Sequence, residues 1–147
     1  MKYIAYGSNL SEEQMAHRCP DARIVGKGLL SGWKLKFRYH ATIERSKGSR
    51  VPVLVWEISR KDEERLDRYE GYPHYYVKRK LKVAMMDLNG ENAREATGMV
   101  YIMTEKGEDG KPARSYYELL SEGYKRFGFD TEILERALEE AEEESGE

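Results

Sequence analysis

At 147 residues the chain has the length of one domain, with enough core to fold without disulfide or metal staples, and a second domain is not expected. Its formal charge of −2 is divided unevenly: residues 132–147 carry −7, eight Glu against Arg136, which leaves +5 on residues 1–131. The single Cys19 excludes an internal disulfide framework and a cysteine metal knuckle and fits a reducing cytoplasm, and neither a signal peptide nor an apolar run of membrane length is expected.

Residues 2–6 read as a first strand. Ser11-Glu12-Glu13-Gln14 then has the Ser-x-x-Gln form of a helix capping box, so the intervening Gly7-Ser8-Asn9 turn joins a strand to a helix. That helix is predicted to be short, because Cys19 precedes Pro20 and the residue before proline avoids helical geometry. Ala22 to Leu30 is apolar-rich, with bends or bulges expected at Gly26 and Gly28. Trp33, Leu35, Phe37 and Tyr39 alternate with Lys34, Lys36 and Arg38, the pattern of a half-buried strand. Beyond Ala41-Thr42-Ile43, residues 44–50 read as a polar loop and Val51 to Ile58 as a buried strand.

Ser59 is placed to cap a helix whose first turn carries Asp62, Glu63 and Glu64, and which stops at Gly71. Within it Leu66 and Tyr69 are the expected buried positions. Residues 75–87 and 94–104 flank Asn89-Gly90 as a hairpin, and Lys78, Lys80 and Lys82 are expected on its solvated face rather than as a nucleic-acid surface. After a Gly-rich loop over 105–111, a helix over 114–127 ends at Gly128. A final helix capped by Asp130 or Thr131 follows, fraying from about residue 142. Helices and strands are mixed without β-α-β alternation. This favours an α+β fold with a curved or closed sheet flanked by helices.

Two segments bear chemistry. A Gly-Ser-Asn turn between strand and helix can aim backbone N–H groups at a carboxylate or a developing oxyanion, although taken alone such a tripeptide is more often an ordinary turn. Ser8 lacks the Gly-x-Ser-x-Gly setting of a nucleophile. Glu70 lies one turn after Leu66, on the same helix face, among Tyr69, Tyr72, Tyr75 and Tyr76; aromatic surroundings would desolvate it and raise its pKa toward that of a general base. The plainer alternative is a surface Glu before a helix-ending Gly. His17, His40 and His74 have no ligand spacing, so no metal is expected, and Cys19 reads as a small buried residue.

With these residues in view, the chain resembles the γ-glutamylcyclotransferase family, in particular its compact bacterial and archaeal members. The match runs through Tyr3-Ile4-Ala5-Tyr6-Gly7-Ser8-Asn9-Leu10, Ala41-Thr42-Ile43, Val53-Leu54-Val55-Trp56, Leu66-Asp67-x-x-Glu70-Gly71, and Ser115-x-Tyr117 with Gly123 and Gly128. The resemblance implies a small mixed β-barrel with helices around it and a pocket at one mouth. It implies cyclisation of a γ-glutamyl group to 5-oxoproline with release of an amine, with no cofactor, Glu70 as catalytic acid/base, Tyr3, Ile4, Ala5, Tyr6, Gly7, Ser8 and Asn9 holding the γ-glutamyl end, and Tyr117 lining the pocket. The expected partner is a small γ-glutamyl compound, with neither nucleic acid nor membrane; the sequence leaves the oligomeric state open. The alternative reading is a non-catalytic module of the same fold that binds a carboxylate or γ-glutamyl ligand.

Overall fold

The computed structural model describes residues 1–104 and 110–144. Five strands, β1 (Lys2–Ala5), β2 (Arg23–Arg38), β3 (His40–Glu57), β4 (Tyr76–Met86) and β5 (Arg94–Met103), close into a barrel in the order β1-β3-β2-β4-β5. All neighbours are antiparallel except β1 and β5, which meet in parallel at Tyr3 and Met99. A barrel leaves no open sheet edge, and alternate residues point inward. Trp33, Leu35 and Phe37 of β2 therefore face the core, with Ile43, Val51, Val53 and Val55 of β3.

The strand regions differ from expectation in continuity. Residues 23–30 and 33–38 belong to one strand, with a register shift between Ile24 and Gly26 and another between Ser31 and Trp33. The predicted polar loop over 44–50 is strand: Glu44 pairs Lys34, Arg45 pairs Trp33 and Arg50 pairs Ser31, while residues 46–49 bulge out between them. Opposite charges facing each other across a ladder suit a strand as well as a loop, so polarity misled there. Tyr39 leaves the buried alternation, because it sits at the β2–β3 turn with φ 67° and is exposed.

Helices α1 (Glu12–Arg18), α2 (Arg60–Glu70), α3 (Arg114–Phe127) and α4 (Thr131–Glu144) surround the barrel. Their ends follow the local signals: the Ser11 hydroxyl accepts from Gln14 N–H, Ser59 and Asp62 exchange both bonds of a capping box, and Gly71 and Gly128 end their helices in left-handed geometry. The helix α4 continues through residues 142–144, where fraying was expected; residues 145–147, and 105–109 of the predicted loop, lie outside the described part. Gly123 is needed for close approach, since a Cβ there would stand 2.8 Å from Leu10 Cβ. This lets α3 lie on the turn that follows β1. No described helix is long and apolar enough to cross a membrane.

Candidate active site

The strand β1 ends at Ala5, and Ser8–Leu10 form a single 3₁₀ turn closed by bonds from Leu10 N to Gly7 O and from Ser11 N to Ser8 O, both 3.0 Å. The first N–H groups of such a turn precede any intrahelical acceptor. Asn9 is buried, its Nδ2 donating to the Tyr3 hydroxyl (2.8 Å) and its carbonyl accepting from Trp56 Nε1 (3.1 Å). The side chain of Asn9 thus holds the turn in place, while Gly7, Ser8 and Asn9 border a small chamber of about 30 Å³.

The helix α2 brings Glu70 to the same chamber. Leu66 is fully buried, and Asp67 accepts from the Tyr101 hydroxyl (2.6 Å) and from Lys78 Nζ (3.0 Å), fastening the last turn to β5 and β4. Lys78, expected in solvent, is therefore a clamp: it also bonds Glu63 (2.9 Å) and lies over the Tyr72 ring, whereas Lys80 and Lys82 are exposed as predicted. Gly71 then turns with φ 67°, conformational space that an L side chain enters at a cost, so the chain leaves the helix immediately after Glu70. Tyr69 was expected to be buried but is 49% exposed, and its ring stacks under the Arg18 guanidinium at 3.6 Å.

The chamber is walled by tyrosines that lie far apart in sequence: Tyr3, Tyr6, Tyr76, Tyr101 and Tyr116. Three have committed their protons, Tyr6 to Tyr101 O (2.5 Å), Tyr76 to Ala41 O (3.0 Å) and Tyr101 to Asp67. The other two accept instead, Tyr3 from Asn9 Nδ2 and Tyr116 from Ala41 N–H (3.0 Å), so each keeps a hydroxyl proton to donate into the chamber. Burial, and the charge of Glu70 beside them, push all five hydroxyls above the ordinary tyrosine pKa. They are neutral donors at any working pH.

Glu70 behaves differently. Burial lifts its carboxyl from the ordinary 4.5 to about 7, with the Arg18 cation as the opposing influence. Glu70, Ser8, Tyr76 and Tyr116 also border a much larger outer cavity of about 930 Å³, which opens past Arg38, Arg68, His40, His74 and the exposed rings of Tyr39 and Tyr75. The carboxyl thus stands at the junction between a tight inner chamber and a wide outer one. Among the described residues no group of His, Cys, Asp and Glu is arranged to hold a metal ion.

Of the residues singled out in the sequence, Tyr3, Ile4, Tyr6, Gly7, Ser8, Asn9 and Glu70 all border the inner chamber. Ala5 is buried in the core beside them. Tyr117 does not border the chamber; its ring packs on Phe37, tilted 51° with ring centroids 6.0 Å apart, and feels the carboxylates of Glu135, Glu139 and Glu142 of α4. Its neighbour Tyr116 takes the inward position. Adjacent helical residues differ by about 100° in direction, so a one-residue difference decides which tyrosine enters the site. Sequence reasoning also missed Arg18, whose Nη1 bonds Ser8 Oγ (3.2 Å) and Asn9 Oδ1 (2.5 Å) and whose Nη2 bonds the Tyr69 hydroxyl (2.6 Å). Its position in the last turn of α1 gave no hint beyond favourable placement against the helix dipole.

A closed barrel with one ionisable carboxyl between a hydroxyl-lined chamber and an open cavity is the architecture of a small-molecule enzyme pocket, not of a flat binding surface. Comparison with known proteins gives the family. Residues 3–125 match the profile of the family described as "Gamma-glutamyl cyclotransferase, AIG2-like". The chain is similar to the human and mouse proteins named gamma-glutamylcyclotransferase, 31% identical to each over 91% of this chain and 75% of theirs. A solved structure titled "Gamma-glutamyl cyclotransferase" superposes with a TM-score of 0.80 at 30% identity, covering 92% of this chain and 85% of that one. This chain belongs to the γ-glutamyl cyclotransferase, AIG2-like family.

Proposed function

We propose that the protein cyclises the γ-glutamyl group of a γ-glutamyl amino acid or amine to 5-oxoproline, releasing the amine, with Glu70 as the one acid-base group. The observation that carries this reading is the position and proton affinity of Glu70: a carboxyl near neutrality at the mouth of a hydroxyl-lined chamber.

The chemistry needs little more. A substrate α-ammonium is not a nucleophile until it loses a proton, and a carboxylate of pKa about 7 is poised to take it. The freed amine attacks the γ-carbonyl carbon of the same molecule. The carbonyl oxygen gains charge, and donors from the Gly7–Asn9 turn, Tyr3 and Tyr116 are the groups available to meet it; one such donor is typically worth about 100-fold or more. As the C–N bond to the leaving group breaks, Glu70 returns its proton to that nitrogen and is restored; the ring nitrogen gives its remaining extra proton to the freed amine, which departs as the ammonium ion. Nucleophile and electrophile are already joined, so the pocket mainly has to hold the ring-closing shape, which orientation alone can favour by up to about 10 kcal/mol. The leaving group would occupy the outer cavity. The buried Cys19, its thiol pushed up to about 12 by burial, fits a chain kept in the reducing cytoplasm and takes no part in the site.

The test is incubation with γ-glutamyl dipeptides, γ-glutamylamines, γ-glutamyl-lysine and glutathione, with 5-oxoproline read by mass spectrometry. The expected kcat/KM for the best substrate rises with pH through about 7, as Glu70 loses its proton, and then levels. Thermal stabilisation by these compounds without any 5-oxoproline would leave the binding module as the function.

A further inference from the structure

We propose that Arg18 is the positioning residue of this site: a single guanidinium that locks the Gly7–Asn9 turn to the Tyr69–Glu70 end of α2 and sets which way the Tyr3 hydroxyl proton points. The inference rests on the cyclotransferase reading for its catalytic consequence, and on geometry alone for the lock.

The geometry works through donor and acceptor types. A guanidinium only donates, so the Asn9 amide that meets Arg18 Nη1 at 2.5 Å must turn its oxygen toward it. That leaves Asn9 Nδ2 facing Tyr3, 2.8 Å away, and makes the Tyr3 oxygen an acceptor. A hydroxyl that accepts there is free to donate elsewhere, and the open direction is the chamber. The same Nη1 bonds Ser8 Oγ, which fixes the second residue of the turn. On the other side, Nη2 bonds the Tyr69 hydroxyl and the cation lies 3.6 Å over the Tyr69 ring, adjacent in sequence to Glu70. One side chain thus spans the two segments whose separation defines the chamber. A lysine could supply the charge but not a planar fork that bonds three partners at once.

Arg18 has an electrostatic consequence too. The hydroxyls of Tyr3, Tyr6, Tyr76, Tyr101 and Tyr116 face Glu70 from β1 and the residue after it, β4, β5 and α3 and stay neutral, and Arg38, Arg68, His40 and His74 line the outer cavity. Arg18 is the cation that holds the Glu70 carboxyl down against burial. Without it, the base would lose its proton only at higher pH.

The experiment compares Arg18→Met, Arg18→Lys and Tyr69→Phe with the parent, following the Glu70 carboxyl by 13C NMR across pH and 5-oxoproline release by mass spectrometry. In R18M the Glu70 midpoint should move above about 7 and kcat should fall about 10- to 100-fold, with KM changing less. In R18K the midpoint should return close to the parent's while kcat recovers only in part; a merely structural role would not separate the two readouts. Y69F, which keeps the ring but not the hydroxyl bond, should lower kcat less than R18M. If circular dichroism shows R18M unfolded, R18K and Y69F carry the test. An unmoved midpoint together with parental kcat in the folded variants overturns the proposal. Absence of 5-oxoproline from the parent itself sinks the cyclotransferase reading instead, and the NMR midpoints then decide the role of Arg18 alone.

Discussion

The two cavities that meet at Glu70 are built on opposite principles. The inner chamber, about 30 Å³, is walled by strand, turn and helix residues whose hydroxyls and amides are held by bonds to one another; the outer cavity, about 930 Å³, is bordered by the β2–β3 turn, the segment after Gly71 and exposed rings such as Tyr75, which is 71% exposed. A reaction that closes a ring within one substrate needs fixed donors at the reacting end and only tolerance at the other. The contrast therefore separates chemistry from specificity: the inner wall should govern kcat, and the outer wall the choice of leaving group.

The largest expected effect tests the junction itself. Glu70→Gln keeps the shape of the side chain and removes its proton affinity, so 5-oxoproline release should fall about 1,000-fold. Full activity in E70Q would remove Glu70 from the mechanism. The same variant should be more stable than the parent at high pH. Between 4.5 and about 7 the folded chain binds more protons at Glu70 than the unfolded chain does, so the parent loses stability as pH rises through that window. The gain in E70Q should approach about 3 kcal/mol above pH 7 as an upper bound, and disappear below 4.5, in urea melts taken across pH.

A smaller effect distinguishes the two neighbouring tyrosines. Tyr116→Phe removes the acceptor of the Ala41 N–H and a chamber donor, and should cost roughly 1–3 kcal/mol in stability or transition-state binding; Tyr117→Phe, whose ring packs on Phe37, should leave turnover unchanged. Equal effects on kcat would break the division of α3 into a chamber side and a packing side. The smallest effect belongs to the outer wall: Tyr75→Ala should change KM by a few-fold, differently for each leaving group, and leave kcat close to the parent's, because an exposed ring contributes little fixed binding. A drop in kcat common to all substrates would show that the outer wall shares in the chemistry.

Much of the fold was legible because it is local. The caps at Ser11 and Ser59 and the stops at Gly71 and Gly128 depend on residues three or four apart, and the structure uses each of them. The closed, mixed barrel also agrees with the expectation drawn from the chain's resemblance. Residues 44–50 were misread because charge reports solvent contact, not backbone pairing, and strand register is a long-range property. Tyr116 and Tyr117 could not be told apart because both lie on the apolar stripe that leads to Leu120 and Tyr124; which of them enters the chamber depends on where the barrel sits against α3.

The sequence by itself determined the pieces: a Gly-Ser-Asn turn after a strand, and a Glu placed by Leu66 and Gly71 at the last step of a helix, each encoded within a few residues. Only the tertiary structure decided that they share one chamber, that tyrosines from β1, β4, β5 and α3 surround it, and that Arg18 joins its two sides. The physical reason is reach. Caps and turns form from contacts along the chain, whereas the dry surroundings that raise the Glu70 pKa and the bonds that orient Tyr3 exist only when distant segments pack together.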